Sequence, residues 1–364
     1  MTLGRLPGLL VEGGFSVTVM GNPAAPAARS WRTKQVVPVD GGADRLLEAA
    51  LALVRRDPEA WKLVLPGEDT LLMEMKRLGA DHVRAPLLPV RPEAIGVLVS
   101  KIGFSVLADA IGLPVPRWSA VESLDEALAA AERIGYPVIV KPDEGQAGND
   151  LFRAKSPEDL RTRWGNRSAR QIVQEFVPGR AGLLELLYDH GRLVCWVGSC
   201  KVRTLLGPFG MSTCRQFVDL PGVREHLVEL GRATGFHGFC GLDLIQRETG
   251  GVCYVEFNTR PTSGYEAARV AGVGFADALR ALGEGTSAEF PPPAFDGAEP
   301  VVPFFPEDIV GAAYSASWPA FFSRCFCPAL LRTVPWTDGG LMRTNAGRVY
   351  QALRARQQNG RTKE

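Results

Sequence analysis

The sequence predicts an α/β protein in which a parallel, doubly wound sheet comes first and a larger region of helices and longer strands follows. Two patterns carry this prediction. Up to residue 78, short apolar segments typical of strands alternate with segments of helical periodicity, the order that builds a parallel sheet between helices. Farther along, strands follow one another with only turns between them, so a second sheet is expected there.

The composition excludes several classes of protein. The 364 residues include 41 Lys and Arg against 40 Asp and Glu, a formal charge of +1, whereas a dedicated nucleic-acid binder normally carries a clear basic excess. Hydrophobic residues make up 46%, which argues against a disordered chain. The apolar runs fall short of the ~20 residues that span a membrane. We therefore expect two or three globular domains with no nucleic-acid or membrane partner and no signal peptide.

The cysteines indicate a reducing compartment. Seven cysteines, an odd number, are spread along the chain without a CxxC pair, and only four histidines accompany them. Cys325 and Cys327 form the one local cluster, and their spacing does not suit a tetrahedral metal clamp. We expect free, mostly buried thiols in the cytoplasm and no zinc or iron–sulfur site.

The first part of the chain is predicted to begin with a helix rather than a strand, which is unusual for a doubly wound domain. Two explanations stay open: the domain has lost its first strand, or it starts farther upstream. Apolar alternation predicts the strands, and spacings of three and four residues predict the helices. The predicted elements are a helix at 6–11, strands at 15–20 and 36–39, a helix at 44–56, a strand at 61–65 and a helix at 70–78.

The second part is punctuated by prolines and helix caps. Pro114 and Pro116 stop a long helix, and Ser123 resembles the cap of the next one. From residue 289 the chain is rich in proline and aromatic residues, for which we expect core packing, with a partner-binding surface as the alternative. The predicted elements are helices at 93–111, 123–134, 156–164, 223–234 and 274–282, and strands at 138–141, 171–176, 183–188, 193–202, 241–246 and 252–257.

Two lysines and a glycine loop are the first candidates for binding an anion. Lys141 ends a predicted buried strand, where an ammonium is costly unless it meets an anion or a carboxylate, and Lys101 lies on a helix. The loop after Lys141 contains Gly145 and Gly148, which would let backbone N–H groups approach phosphate oxygens. Ordinary surface lysines and an ordinary turn are the alternatives.

A group of oxygen-bearing side chains near residue 256 is the sharpest signal. Glu256 and Asn258 are two residues apart in a strand and therefore point to the same face. If the strand that carries Asp243 is their hairpin partner, three hard oxygen ligands converge, as Mg²⁺ prefers. Arg260 follows at a place where it could stabilise a transferring phosphoryl group. The alternative is a solvated acidic hairpin, which the neighbouring apolar residues disfavour.

The order of five short segments resembles the ATP-grasp superfamily, and within it the carboxylate–amine ligase-like branch. The resemblance covers residues 15–282. Each segment is modest alone, and their order along the chain carries the resemblance. The segments are 100–101 ahead of 111–116, 135–142 with its glycine loop, 174–179, 241–243 and 256–260.

The resemblance implies a two-lobed ATP-grasp domain at 91–285, with ATP between two antiparallel sheets. Its small ATP-binding lobe would be 91–180 and its catalytic lobe 181–285. Residues 1–90 would form the doubly wound pre-ATP-grasp domain, and 286–364 a C-terminal extension. The implied fold class is therefore α/β at the N-terminus and α+β in the grasp region.

The resemblance also implies how ATP is held. Lys101 and Lys141 would bind the α- and β-phosphates, and the loop from Gly145 to Gly148 would fold over the triphosphate. Many members hold the ribose with an acidic residue where this chain has Ala181, which leaves Glu185 as a substitute. The adenine edge would be lined, mainly by backbone groups, at Glu175, Phe176 and Val177.

The implied chemistry centres on a metal and two arginines. Asp243, Glu256 and Asn258 would bind Mg²⁺ or Mn²⁺, and Arg260 would face the γ-phosphate. D-alanine–D-alanine ligases have an arginine where this chain has Gly241, which argues against that subfamily. Arg203 is our candidate for binding the substrate carboxylate, and the segment 206–212 could cover the site or be an inert connection.

The implied function is an ATP-dependent ligase that joins a small-molecule carboxylate to an amine through an acyl phosphate. No covalent nucleophile is needed, because catalysis by positioning and charge neutralisation suffices for phosphoryl transfer. Three alternatives stay open: an ATP-grasp kinase, a carboxylase, and a non-catalytic nucleotide-binding regulator. A homodimer is compatible with all of them.

Overall fold

The computed structural model describes residues 3–361 apart from 79–91, 146–150, 168, 206, 208–209, 287, 296–297 and 316. Two antiparallel sheets dominate it, and a smaller parallel pair precedes them. This confirms a mixed α/β fold with antiparallel sheets. None of the helices in these residues is both long and apolar enough to cross a membrane.

The N-terminal unit builds a parallel sheet of two strands. The strands β1 and β2 pair in parallel, with Val19 opposite Val36, and a helix precedes them as the sequence predicted. The predicted strand at 61–65 is wrong: these residues form a loop after a 3₁₀ turn, and Leu63 and Leu65 only pack against the core. The elements are α1 (Leu6–Glu12), β1 (Thr18–Gly21), α2 (Pro26–Arg29), β2 (Gln35–Pro38), α3 (Ala43–Arg56) and α4 (Thr70–Leu78).

The long helix predicted at 93–111 is broken in two. Ser100 has an extended backbone, and its hydroxyl accepts a 2.8 Å hydrogen bond from the N–H of Gly103, so it caps a new helix. Lys101 is therefore the first residue of that helix rather than an interior one. The two helices are α5 (Pro92–Leu98) and α6 (Lys101–Ala110).

A four-stranded antiparallel sheet forms the small lobe. Its strand order is β3-β6-β4-β5, and two helices cover it through a core that includes Ile134 and Trp164. The elements are β3 (Trp118–Val121), α7 (Leu124–Ile134), β4 (Val138–Pro142), β5 (Phe152–Ala154), α8 (Pro157–Trp164) and β6 (Gln171–Glu175).

A six-stranded antiparallel sheet forms the centre of the molecule, in the order β11-β10-β7-β8-β9-β12. Alternate residues of β7 enter two different hydrophobic clusters, Leu186 on one face and Leu187 on the other, so helices bury both faces. The elements are β7 (Gly179–Asp189), β8 (Arg192–Thr204), β9 (Ser212–Val218), α9 (Val223–Thr234), β10 (Gly238–Arg247), β11 (Val252–Asn258), α10 (Gly264–Val270) and α11 (Phe275–Gly283).

The C-terminal part completes this sheet and adds a helical cap. Its strand β12 pairs with β9, and its helices pack on their own core around Phe321 and Leu330. Phe321 fits the predicted core packing, whereas Trp318, Phe322 and Phe326 are exposed. The elements are β12 (Val301–Pro303), α12 (Glu307–Ser315), α13 (Trp318–Cys325), α14 (Pro328–Leu331) and α15 (Gly339–Arg361).

Candidate nucleotide and metal site

Lys141 lies at the end of β4 and is almost completely buried, with 3% of its surface exposed. Its Nζ donates to the carbonyl of Val255 in β11 at 3.2 Å, which places the ammonium between the two large sheets. Burial lowers the pKa of Lys141 to about 8, while the carboxylates of Glu256 and Asp243 act in the opposite direction. The residue is thus a buried cation directed at the acidic strands.

Lys101 approaches the same place from the first turn of α6. Its Nζ lies 3.3 Å from Oε1 of Glu256 and donates to the carbonyl of Gly145 at 3.1 Å. Asp143 fixes this arrangement, because its Oδ1 accepts hydrogen bonds from the Ser100 hydroxyl at 2.7 Å and the N–H of Ile102 at 2.9 Å. Sequence reasoning missed Asp143, although a carboxylate just after a strand is suited to cap a helix.

The predicted hairpin that carries the three oxygen ligands is present. In the register of β10 and β11, Asp243 is directly opposite Glu256 and Gly241 is opposite Asn258. Asn258 Nδ2 lies 3.1 Å from Oδ2 of Asp243. Side chains that lie opposite each other across a ladder project from the same face, so the three oxygen donors are neighbours.

This donor set fits a hard divalent cation. Like charges directly opposite each other in a sheet are destabilising unless something neutralises them. Glu256 has Lys101, but Asp243 makes no ion pair within the described residues and has only the amide of Asn258 at hydrogen-bond distance. Two carboxylates and an amide oxygen are the ligand types that Mg²⁺ takes in proteins.

Arg260 is held by the N-terminal unit. Its Nε donates to Oδ2 of Asp69 at 2.9 Å, and the hydroxyl of Thr259 donates to the other oxygen at the same distance. Asp69 immediately precedes α4, so the start of this helix lies beside the end of the large sheet. Sequence reasoning did not connect Asp69 to Arg260, because these two residues are far apart in the chain.

The predicted adenine edge lies at the end of β6, where Glu175 is opposite Val138, the first residue of β4. The side chain of Glu175 accepts from Arg117 Nε at 3.1 Å, and this hydrogen bond lowers the pKa of Glu175. The guanidinium of Arg153 lies 3.7 Å over the ring of Phe176. Val177 lies two residues before the start of β7. The nucleotide role of these residues stays a prediction.

Glu185 lies in the middle of the large sheet and is fully buried. Its Oε1 accepts a short hydrogen bond from Arg215 Nη1 and a 3.0 Å bond from the hydroxyl of Thr262. Gly264 is required beside it, because a Cβ there would lie 1.7 Å from Oε1. Burial raises the pKa of Glu185 and the charge of Arg215 opposes this. Its ribose role stays a prediction, and Arg215 and Thr262 are neighbours that sequence reasoning missed.

Arg203 lies on β8, which β7 separates from the β10–β11 hairpin, and is bound by the C-terminal cap. Its Nε and Nη2 donate to the two oxygens of Asp308 at 2.8 and 2.9 Å. The hydroxyl of Thr213 also donates to Asp308. Binding of a substrate carboxylate by Arg203 stays a prediction. Gly148 and residues 206, 208 and 209 of the predicted cover segment lie outside the described residues.

The structure thus brings together most of the predicted nucleotide and metal residues where the small sheet faces the edge of the large one. A cavity between α4, α5 and α6 opens there, and its lining includes Asp69, Lys101, Gly145 and Glu256. Opposed carboxylates, two cationic amines and an arginine make a site for a polyphosphate with a divalent cation.

Comparison with known proteins assigns the class of this domain. Residues 103–264 match the ATP-grasp domain family, so the chain contains an ATP-grasp domain and the resemblance to the ATP-grasp superfamily is confirmed. The matched residues run from α6 to the start of α10 and include the small sheet and five of the six strands of the large one.

Two curated relatives show how far the sequence similarity extends. A formate-dependent phosphoribosylglycinamide formyltransferase of Ignicoccus hospitalis is 32% identical over 105 residues, which cover 27% of this chain and 26% of that one. The N-terminal section of the carbamoyl phosphate synthase large chain of Methanopyrus kandleri is 27% identical over 227 residues, 55% of this chain and 40% of that one. The match thus spans 40% or less of these relatives.

Solved structures share the fold at low sequence identity. The N5-carboxyaminoimidazole synthetase of Staphylococcus aureus, complexed with ADP, superposes with a TM-score of 0.63 at 14% identity, covering 80% of this chain and 76% of that one. The biotin carboxylase domain of a Hydrogenobacter thermophilus 2-oxoglutarate carboxylase gives 0.62 at 16% identity, covering 79% and 70%. These likenesses confirm the predicted fold class.

Proposed function

We propose that this chain is an ATP- and Mg²⁺-dependent ligase of the carboxylate–amine type, which activates a carboxylate as an acyl phosphate and joins it to an amine. One observation carries the proposal: Lys101, Lys141, Asp243, Glu256 and Asn258 converge from separate elements on one place between the two sheets. Packing alone gives no reason to gather three oxygen donors around a buried ammonium, because each of these groups is costly to desolvate.

Asp243, Glu256 and Asn258 would hold Mg²⁺ or Mn²⁺, and this cation would neutralise charge on the phosphates. The two lysines would hold the phosphates from the other side. Within the described residues, the Lys141 ammonium donates to the carbonyl of Val255, and no carboxylate lies at hydrogen-bond distance from it. Arg260, fixed by Asp69, would stabilise the transferred phosphoryl group.

The proposed reaction has two steps. A carboxylate oxygen forms a bond to the γ-phosphorus while the bond to the bridging oxygen breaks, and ADP leaves with that electron pair. The amine nitrogen then bonds to the carbonyl carbon, the carbon–oxygen bond to phosphate breaks, and the nitrogen loses a proton. Fixed cations favour the first step because negative charge moves onto oxygens they already face.

The names of the relatives support a small acid as the substrate. The Hydrogenobacter structure is described as a complex with MgADP and bicarbonate, and the Ignicoccus enzyme as formate-dependent. The first of these is also described as a dimer, which supports a homodimer here. We further propose a cytoplasmic location, which the seven free cysteines support.

The test follows ADP release with a panel of carboxylates and amines and identifies the product by mass spectrometry. The Glu256→Ala variant should lose ADP release while its Tm and circular dichroism stay those of the wild type. Glu248→Ala is the matched control, since Glu248 is an exposed carboxylate in the turn of the same hairpin.

Near-normal ADP release from Glu256→Ala would overturn the metal assignment. A phosphate ester as product would establish a kinase, and a carboxylated product a carboxylase. Tight ATP binding without ADP release across the whole panel would establish a nucleotide-binding regulator.

A further inference from the structure

A cluster of two histidines and an aspartate lies outside the nucleotide and metal site. Asp189 ends β7, His190 begins the turn to β8, and His237 directly precedes β10. One ligand atom from each of the three lies within 4.8 Å of the other two. Six residues of extended chain, ~20 Å, separate His237 from Asp243, so the cluster is distinct from the proposed Mg²⁺ site.

The sheet itself holds these three residues side by side. Tyr188 of β7 is opposite Gly238 of β10, so Asp189 and His237 lie at neighbouring strand ends. His190 has a φ of 47°, the left-handed conformation that the tight turn requires. Its ring stacks on the ring of His237, with 4.0 Å between the centroids. The arrangement is therefore set by the strand register and the turn.

The outward atoms of two of these side chains are already fixed by the protein. His237 Nε2 lies 3.2 Å from the carbonyl of Lys62, which can only accept a hydrogen bond, so the ring proton is on Nε2. Asp189 Oδ2 accepts from Arg192 Nη2 at 2.8 Å. Outer contacts of this kind orient the ligands of metal sites and select the ring nitrogen that faces the ion. His237 Nδ1 and Asp189 Oδ1 are left facing each other.

His237 Nδ1 meets the carboxylate with no proton between them. It accepts the N–H of His190 at 3.3 Å, a long hydrogen bond, which agrees with a lone pair on Nδ1. Burial lowers the pKa of His237, and the neighbouring His190 adds to this, which favours the neutral ring. The side chain is 4% exposed, and Nδ1 lies 3.4 Å from Asp189 Oδ1. Two electron-rich atoms this close and out of water are stabilised by a cation between them.

The spacing of these atoms fits a zinc ion. Zn²⁺ binds imidazole nitrogen and carboxylate oxygen at ~2.0–2.2 Å, so two ligand atoms of a tetrahedral site lie ~3.3–3.6 Å apart. The 3.4 Å between His237 Nδ1 and Asp189 Oδ1 falls in this range. His190 Nδ1 lies 2.9 Å from the same oxygen and turns to the ion once its proton moves to the other ring nitrogen. Imidazole ligands favour Zn²⁺ and similar transition metals, whereas Mg²⁺ takes oxygen.

We propose that Asp189, His190 and His237 bind a transition-metal ion of the Zn²⁺ type, with water at the remaining position. The side chain of His190 is 66% exposed, so the ion and its water reach the cluster from solvent. The ion ties the β7–β8 turn to β10 and, through His237, to the loop at Lys62. No local pattern in the sequence marks this site, because the two histidines are 47 residues apart. The proposal does not depend on the proposed ligase function.

The test titrates Zn²⁺ into the full chain by calorimetry, after treatment with EDTA and dialysis, with excess Mg²⁺ present to occupy Asp243 and Glu256. At least one equivalent of Zn²⁺ should bind and should raise the Tm, because an ion that binds only the folded chain stabilises it. Co²⁺ in place of Zn²⁺ should give visible d–d bands without the near-ultraviolet charge-transfer band of a thiolate, which separates this site from the cysteines.

Two variants locate the ion. His190→Asn removes an exposed imidazole, and asparagine tolerates the left-handed backbone of the turn. Asp189→Asn removes the carboxylate charge and keeps the shape of the side chain. Each should weaken Zn²⁺ binding at least tenfold and remove most of the rise in Tm. His226→Asn is the matched control, since this histidine contacts Tyr254 on α9 instead, and it should bind Zn²⁺ like the wild type.

Three outcomes would overturn the proposal: no Zn²⁺ binds in excess Mg²⁺, His190→Asn and Asp189→Asn both bind it like the wild type, or Co²⁺ shows the thiolate band. The affinity for a non-hydrolysable ATP analogue with Mg²⁺ is read separately and should be the same in His190→Asn as in the wild type. A loss of that affinity together with Zn²⁺ binding would also contradict the proposal, since it would show one site rather than two.

Discussion

Two ion pairs at the large sheet differ in how far solvent reaches them. The Lys101 Nζ lies 3.3 Å from Oε1 of Glu256, and these side chains are 10% and 31% exposed. Both residues line a cavity. Glu185 and Arg215 are 0% and 6% exposed, and Thr262 and Gly264 close over them. A ligand can therefore replace Lys101 or Glu256 as the other's partner, whereas Glu185 and Arg215 are enclosed by protein.

The difference indicates a division of labour across the sheet. A sealed pair cannot be broken cheaply, because the remaining charge would stay buried and unpaired. An open pair loses little when a ligand replaces one partner. We therefore propose that the β10–β11 end binds the phosphates and the metal, and that the Glu185–Arg215 pair fixes the loop after Arg260. The following changes separate the two.

The largest effect is expected at the sealed pair. Glu185→Ala leaves the Arg215 guanidinium buried without its carboxylate and should lower the free energy of unfolding by about 3–5 kcal/mol in urea titrations. Glu229→Ala, which breaks the exposed pair with Arg232, is the control and should lower it far less, because solvent screens that pair. Equal losses in the two variants would mean that the pair is not sealed.

Lys141 should show a large pH effect in the ligand-free protein. Its folded pKa is about 8 against an ordinary 10.5, so the unfolded chain holds the proton more tightly. The free energy of unfolding should therefore rise by up to about 3 kcal/mol as the pH rises from about 8 to 10.5. Below pH 8, Lys141 is protonated in both the folded and the unfolded chain, so the desolvation of its ammonium lowers the free energy of unfolding in full.

The measurement compares wild type with Lys141→Met by urea unfolding from pH 7 to 10. The stability advantage of Lys141→Met at pH 7 should shrink as the pH rises. Lys155→Met, at an exposed position, is the matched control. A constant difference between wild type and Lys141→Met would refute the linkage.

Asp69 should act on rate rather than on nucleotide affinity. Asp69→Ala frees the guanidinium of Arg260, which is then no longer held over the site, so kcat should fall tenfold to a hundredfold with little change in KM for ATP. Glu68→Ala, next to it and exposed, should leave both unchanged. A rise in KM for ATP with normal kcat would show that Asp69 does not position Arg260.

The smallest effect is expected at Ser100. Ser100→Ala removes a helix cap and the hydrogen bond to Asp143, which should cost about 1 kcal/mol and raise KM for ATP severalfold. Ser123→Ala removes a comparable cap on α7, far from the site, and should cost as much without changing KM. If both variants changed KM alike, the cap would not order the glycine loop.

The sequence predicted the hairpin and the shared face of its oxygen-bearing side chains because the relevant rules are local. The two-residue alternation puts Glu256 and Asn258 on one face, and a turn at 248–251 pairs their strand with that of Asp243. Burial of Lys141 followed from the apolar strand before it. The class of protein followed from the order of short segments.

The features that the sequence did not predict depend on contacts between residues that are far apart in the chain. The apolar run at 61–65 has the composition of a strand, but in the folded chain its residues pack as a loop. Strand β12 joins β9 across more than 80 residues, and Asp69 meets Arg260 across 191. No local pattern encodes such contacts, since they arise from how whole elements pack.

The most direct test of the central claim is the binding of a non-hydrolysable ATP analogue with and without Mg²⁺, measured by calorimetry. The account predicts that Mg²⁺ strengthens binding to the wild type and to Glu248→Gln at least tenfold, and that Glu256→Gln loses this gain. Binding that is the same with and without Mg²⁺, or that is unchanged in Glu256→Gln, would contradict it.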